Sequence, residues 1–192
     1  WLDRWRMFPV LASLVTLTLV NWIRAVEEMI RALEVDRAEL PGILGSSTAP
    51  DTVRSIQGDA GDPHLGGRSV MILTFTDDAR VVFKPKQLAV TDAFRAFVDR
   101  INAAGYSTPL RVHRAVVRDR HAWEEHVPHR SCGSEAQVER FYRRMGGWIR
   151  LLQTLEGRDF WLDNLIADGE HPIFIDLETI RADIVLGKDQ SA

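Results

Sequence analysis

Residues 157–179 read GRDFWLDNLIADGEHPIFIDLET, and this stretch carries most of what the chain says about itself. Asp159 and Asn164 lie in a polar segment after a long helical pattern. Asp176 follows twelve positions after Asn164, inside the apolar run Ile173 to Leu177. Phosphoryl transfer needs a carboxylate near the attacking hydroxyl, an amide oxygen and a carboxylate on Mg²⁺, and a cation on the phosphates. Asp159, Asn164 and Asp176 can supply the first three parts in that order. Asp159 and Asn164 are also ordinary turn formers, and Asp176 also reads as a strand-end residue. A carboxylate in an apolar run nevertheless needs a partner or a metal.

Working outward, the cation is sought among only three lysines, Lys84, Lys86 and Lys188. Two of them close the strand-like segment Arg80 to Pro85. Lysine offers phosphate a compact, rotatable point charge where arginine presents a planar fork, so Lys84 is the candidate phosphate ligand. Lys86 reads as a solvated edge residue. Upstream, Gly61-Asp62-Pro63-His64-Leu65-Gly66-Gly67 offers backbone N–H groups to a phosphate and an acid/base pair in Asp62 and His64. The same segment also suits a plain surface turn. Glu124, Glu125 and Glu178 read as structural or solvated.

The remaining pattern places these residues on elements. Pro9 suits a helix start, and apolar residues continue at helical spacing to Leu33. Ser69–Thr76 and Arg80–Pro85 flank Asp77-Asp78-Ala79 as an antiparallel hairpin. Thr91 can cap a helix from Asp92 to about Ala104. Leu110–Val117 and Ala122–Val127 suggest paired strands. Ser134 caps a helix to about Glu156, ended by Gly157, and Ile173–Leu177 forms a last strand with Asp176 in it. The expected class is α+β: a helical segment over 1–57, a strand-rich lobe over 58–130, and over 131–192 the start of a helical lobe with the loop and the metal-binding strand. This is the layout of a kinase core, and layout alone does not give function.

Composition narrows the alternatives. With 192 residues, 45% hydrophobic and 27% charged, the chain can bury one sizeable core or two small lobes. A net charge of -3 disfavours a nucleic-acid partner held through phosphates. The single cysteine, Cys132, excludes an internal disulfide and fits a reducing cytoplasm. The uncharged run Phe8 to Ile23, at 16 residues, falls short of the roughly 18 expected of a membrane span, and Ser13, Thr16, Thr18 and Asn21 interrupt it. A buried helix with no membrane span is the expectation. A start at Trp1 suggests part of something longer.

Taken together, GDPHLGGRSV, VVFKPK, HAWEEHV, FYRRMGGWIRLL and residues 157–179 resemble, in order and spacing, the dehydratase region of class II lanthipeptide synthetases, the LanM family. The likeness runs over nearly the whole chain, including the Phe8-Pro9-Val10-Leu11 start, Trp22 and the segment Arg31 to Asp36. It implies a two-lobed kinase-like fold, nearest to lipid kinases, with the second lobe truncated. It also implies ATP and Mg²⁺ as cofactors and, as substrate, a ribosomal precursor peptide rich in Ser, Thr and Cys. Such enzymes phosphorylate Ser and Thr and then eliminate phosphate to leave dehydrated residues. By resemblance Lys84 holds the ATP phosphates, Asp159 serves near the substrate hydroxyl, Asn164 and Asp176 hold Mg²⁺, and Asp62 with His64 forms an active-site pair. Elimination residues and a cyclase domain are expected downstream. The family loop reads Asp-x-His-x-x-Asn, whereas this chain has Trp161 in the middle position, where an indole can only donate a hydrogen bond. A non-catalytic nucleotide- or peptide-binding relative, and a small-molecule or lipid kinase, are the competing readings.

Overall fold

The computed structural model describes residues 2–46, 49–58 and 68–180. The chain divides into two compact units, Trp1–Lys86 and Gln87–Ala192.

The first unit opens with a short helix α1, Leu2–Met7, and a long helix α2, Pro9–Asp36. Pro9 at the start of α2 fits its fixed φ to a turn whose N–H groups have no helical partner anyway. The Ser13, Thr16 and Thr18 hydroxyls donate to the carbonyls of Pro9, Ala12 and Leu14, so the helix satisfies its own polar side chains. The expectation of a buried helix is corrected here. Ala25, Met29 and Ala32 are buried, but Phe8, Val10, Leu11, Leu14, Leu17, Leu19 and Trp22 are exposed. By length and composition alone, α2 is a helix that could cross a membrane.

A short helix α3, Leu40–Leu44, ends at Gly45 in the left-handed conformation. Three antiparallel strands follow: β1 Val53–Gln57, β2 Met71–Phe75 and β3 Arg80–Lys84. The expected hairpin is β2–β3, with Met71 opposite Phe83 and Thr74 opposite Arg80. Its turn is closed by Asp78 at φ 65° and by the Asp77 carboxylate, which accepts from the Ala79 N–H at 3.1 Å. Aspartate tolerates this backbone region better than most residues. Leu73, Phe75, Val81 and Phe83 are buried, alternating with outward positions as a half-covered sheet requires. β1 lies within the segment 1–57 expected to be helical, which is corrected here: four of its five residues are exposed and no apolar alternation marks it as a strand.

The second unit begins with α4, Ala89–Ala103. It starts three residues before the expected Asp92. Thr91 is buried in its first turn rather than capping it, and no side chain caps Leu88. Strands β4, Ala115–Val117, and β5, Ala122–Glu125, pair antiparallel and are shorter than expected. One reason is visible at Leu110, whose N–H and C=O are both taken by the Asn102 side chain, at 2.9 and 2.8 Å. The backbone there is satisfied without a neighbouring strand.

Helix α5, Glu135–Thr154, is capped as read: the Ser134 hydroxyl accepts from the Gln137 N–H at 3.3 Å, and the Gln137 side chain accepts from Gly133 N–H. Strands β6, Leu165–Asp168, and β7, His171–Phe174, close the described chain as a tight hairpin. β7 ends at Phe174, so Asp176 lies just past the strand, not within it. The buried face of α5 carries Arg144, Trp148 and Leu152 at four-residue spacing. Trp148 packs against Phe94 of α4 and Phe174 of β7 and donates its indole N–H to the Pro172 carbonyl at 3.0 Å. With Val98, Leu110, Leu155, Leu177 and Ile180 these residues form one apolar core. Helix α5 tolerates the neighbouring Tyr106 because residue 147 is glycine: a Cβ there would meet the tyrosine hydroxyl at 2.3 Å.

Candidate functional site

The loop between α5 and β6 is built from fixed points. Gly157 N–H donates to the Leu152 carbonyl at 2.9 Å, ending the helix. Phe160 turns inward and meets Phe174 edge to face, ring centroids 5.3 Å apart. A Cβ on Gly157 would come within 2.7 Å of that Phe160 ring, so the glycine permits the anchor. Between the two, Asp159 takes a left-handed backbone, φ 62°. That reversal sends Phe160 into the core and leaves Asp159 exposed.

Asn164 ends a single 3₁₀ turn, Leu162–Asn164. Its side-chain N–H donates to the Asp159 carbonyl at 3.0 Å, its main-chain N–H donates to Trp161 at 3.0 Å, and its carbonyl accepts from Ile175 N–H at 3.0 Å. Two of these bonds bring Asp159, Asn164 and the residue next to Asp176 to one place within the second unit. The Thr179 hydroxyl donates to the Arg158 carbonyl and holds the segment after Asp176 against the same loop. Asp176 is half-buried, and its Oδ1 is out of contact with solvent. With the Asn164 amide nitrogen committed to Asp159, its side-chain oxygen is the end left to accept or to ligate.

Lys84 belongs to the first unit. It ends β3 and is buried, 7% exposed, whereas Lys86 is half-buried rather than the fully solvated residue expected. A buried ammonium is stable only when its charge is matched. Asp62 and His64 lie outside the described residues. Among the described residues, no group of three or more His, Cys, Asp or Glu side chains is placed to hold a metal. An oxygen pair such as Asn164 and Asp176 needs no such group for Mg²⁺, which keeps waters and phosphate oxygens as its other ligands.

A second constellation went unread in the sequence. Arg111 spans the Asp168 and Glu125 carboxylates, Arg130 reaches Asp168 at 2.5 Å, and Arg114 reaches Glu125 at 3.3 Å. Burial opposes ionisation of Asp168. Hydrogen bonds from Arg130 and Arg111, and their charges, outweigh it and hold the carboxyl below the usual range. Nearby, the Arg140 and Arg144 guanidinia hold Glu170 low as well. His171 is pushed below the usual imidazole value by burial first and by the Arg144 charge second. Deep in the same unit, His113 lies between the Phe174 carbonyl, 3.1 Å from Nδ1, and Glu124, 3.3 Å from Nε2. These groups clamp the β4–β5 and β6–β7 hairpins and hold the loop's floor in place. Glu124 and Glu125 were read as structural or solvated, and a pair of adjacent acids does not name partners so far along the chain.

Comparison with known proteins comes down on the side of the resemblance read from the motifs. The family described as "Domain of unknown function (DUF4135)" matches residues 8–192. A protein from Lactococcus lactis subsp. lactis, the "Lacticin 481/lactococcin biosynthesis protein LcnDR2", is 29% identical over 128 residues, 62% of this chain. That match covers 14% of the length of the Lactococcus protein.

Proposed function

We propose, from the premise that the chain belongs to the DUF4135 family, that it carries the phosphoryl-transfer core of an enzyme modifying a ribosomal precursor peptide in lanthipeptide biosynthesis. The Lactococcus relative, a lacticin 481/lactococcin biosynthesis protein by name, supports the pathway. The observation that carries the chemistry is the hydrogen bonding of Asn164 to the Asp159 carbonyl and the Ile175 N–H, which ties the backbones at Asp159 and next to Asp176 to the same amide residue.

In this reading the fold is a kinase-like α+β core of the lipid-kinase type. The Asp159 carboxylate accepts the proton of a substrate Ser or Thr hydroxyl, and Asn164 and Asp176 hold Mg²⁺ through oxygen atoms. The donor set fits, being hard oxygen ligands with one buried carboxylate oxygen. Bound Mg-ATP supplies the phosphoryl group. Lys84 offsets charge on its phosphates. Asp62 and His64 are assigned to the active site, shared between phosphorylation and the elimination that completes dehydration. The precursor peptide is rich in Ser, Thr and Cys, a cyclase domain acts on the product, and the compartment is the cytoplasm. A non-catalytic binding role is the second reading, favoured by Trp161, which is 71% exposed at the loop position where the family pattern has a histidine.

Calorimetry of ATP binding with and without Mg²⁺ tests the assignment. Asp176→Asn is expected to weaken Mg-ATP binding while leaving metal-free binding nearly unchanged. An equal loss in both conditions removes Asp176 from the metal.

A further inference from the structure

The loop presents two large apolar side chains to water beside Asp159. Trp161 is 71% exposed and Leu162 84% exposed. A single exposed apolar residue calls for no explanation, but the backbone here is not slack. Phe160, one residue before, is anchored on Phe174. The Trp161 carbonyl accepts from Asn164 N–H at 3.0 Å, and Asn164 is tied in turn to Asp159 and Ile175. The backbone that carries the indole and the leucine is therefore fixed by a constrained turn, so a ligand that contacts them need not order that backbone. The charged clusters of the same unit offer no comparable opening, since Arg111, Arg130 and Asp168 are matched to one another.

We infer that Trp161 and Leu162 form a platform for the residues flanking the acceptor hydroxyl, and that it selects peptides with a large apolar or aromatic side chain next to the Ser or Thr. The inference rests on the reading of Asp159 as the group nearest that hydroxyl. A side chain two residues along a fixed loop from Asp159 is at the right range to meet a neighbour of the reacting residue, not the residue itself. Indole faces bind aromatic and aliphatic groups by stacking and burial, and they discriminate poorly among small polar ones. Trp161 is in this sense a specificity residue.

Two labelled synthetic peptides test it, each with one serine, flanked on both sides by phenylalanine in one and by glycine in the other. Fluorescence anisotropy with the full chain is expected to show roughly tenfold tighter binding of the phenylalanine peptide, as an aromatic contact of ordinary strength gives. Trp161→Ala should bring the ratio near one by weakening only that peptide, and Trp161→Phe should keep most of the preference. Where phosphate is added, Trp161→Ala should raise KM for the phenylalanine peptide several-fold more than for the glycine peptide. An unchanged ratio in Trp161→Ala, or an equal loss for both peptides, overturns the platform. Phosphate incorporation, followed by mass spectrometry, separates the two readings. Discrimination without phosphate gain supports the platform and sinks the transfer chemistry, whereas phosphate gain on both peptides without discrimination sinks the platform alone.

Discussion

The side chain of Asn164 donates to the main-chain carbonyl of Asp159 across 3.0 Å, so the residue proposed to hold the metal also sets the backbone that presents the carboxylate. Asp159 itself sits at φ 62°, a region open to asparagine and aspartate but costly for branched side chains. Asp159→Asn should therefore leave stability within about 0.5 kcal/mol of the parent, while phosphate transfer falls about 100-fold or more. Asp159→Val should lose both. Thermal melts beside a transfer assay distinguish the two, and full activity in Asp159→Asn would end the carboxylate's role.

Lys84 and Lys86 make an internal control. Lys84→Ala is expected to weaken nucleotide binding by about 1.5–3 kcal/mol, the usual worth of a charged hydrogen bond. Lys86→Ala, at a half-buried neighbouring position, should change it little. Because Lys84 is buried, circular dichroism must accompany the binding measurement. Lys84→Met, which keeps the apolar stem, separates lost packing from lost charge. Unaltered ATP affinity in Lys84→Met removes the lysine from the phosphates.

Asp168 should make stability depend on acid. Its folded carboxyl titrates below the unfolded value of about 4, so its contribution is complete above that value and is lost as pH falls through the lower, folded one. Asp168→Asn should cost about 2 kcal/mol at pH 7, less than a fully buried pair because Arg111 and Arg130 are 31% and 65% exposed. The gap between parent and variant should narrow as pH falls below the unfolded carboxylate value and close once the folded carboxyl is protonated. Urea titrations at several pH values read this directly, and a gap that is constant with pH would assign the effect to packing.

The exposed apolar face of α2 should show itself as self-association. Leu14 and Leu17, 57% and 56% exposed, lie on it with Phe8, Val10 and Leu11, and patches of this kind seek cover in water. Analytical ultracentrifugation of the 192-residue chain should find concentration-dependent oligomers. Replacing Leu14 and Leu17 together by glutamate should shift it toward monomer without loss of helical signal, since neither side chain is buried. A monomeric parent at high concentration would contradict this.

The sequence was most legible where one local signal fixed one local outcome. Ser134 announced the start of α5, and Asp77-Asp78-Ala79 announced the β2–β3 turn. Asp159, Asn164 and Asp176 were singled out by residue type and spacing, and the structure gathers them within one unit. What could not be read depended on distant partners. Asn102 satisfies Leu110 from eight residues away and shortens a strand that apolar pattern alone extended. Burial of α2 was inferred from its apolarity, but apolarity states a need for cover and does not say what supplies it.

The Arg111 clamp also sets an order of events during synthesis. Its two carboxylates come from residues 14 and 57 positions further along, so a nascent chain exposes Arg111, Arg114 and Arg130 well before Asp168 leaves the ribosome. Local pairing of β4 with β5 can form early and hold Glu125 in place, but the clamp cannot close until β6 exists. Until then Arg130 and one end of Arg111 lack the carboxylate that they pair with in the folded unit. Asp168 thus acts as a latch that is thrown late, locking the second unit only once the polypeptide carrying Asp159 and Asn164 has already emerged.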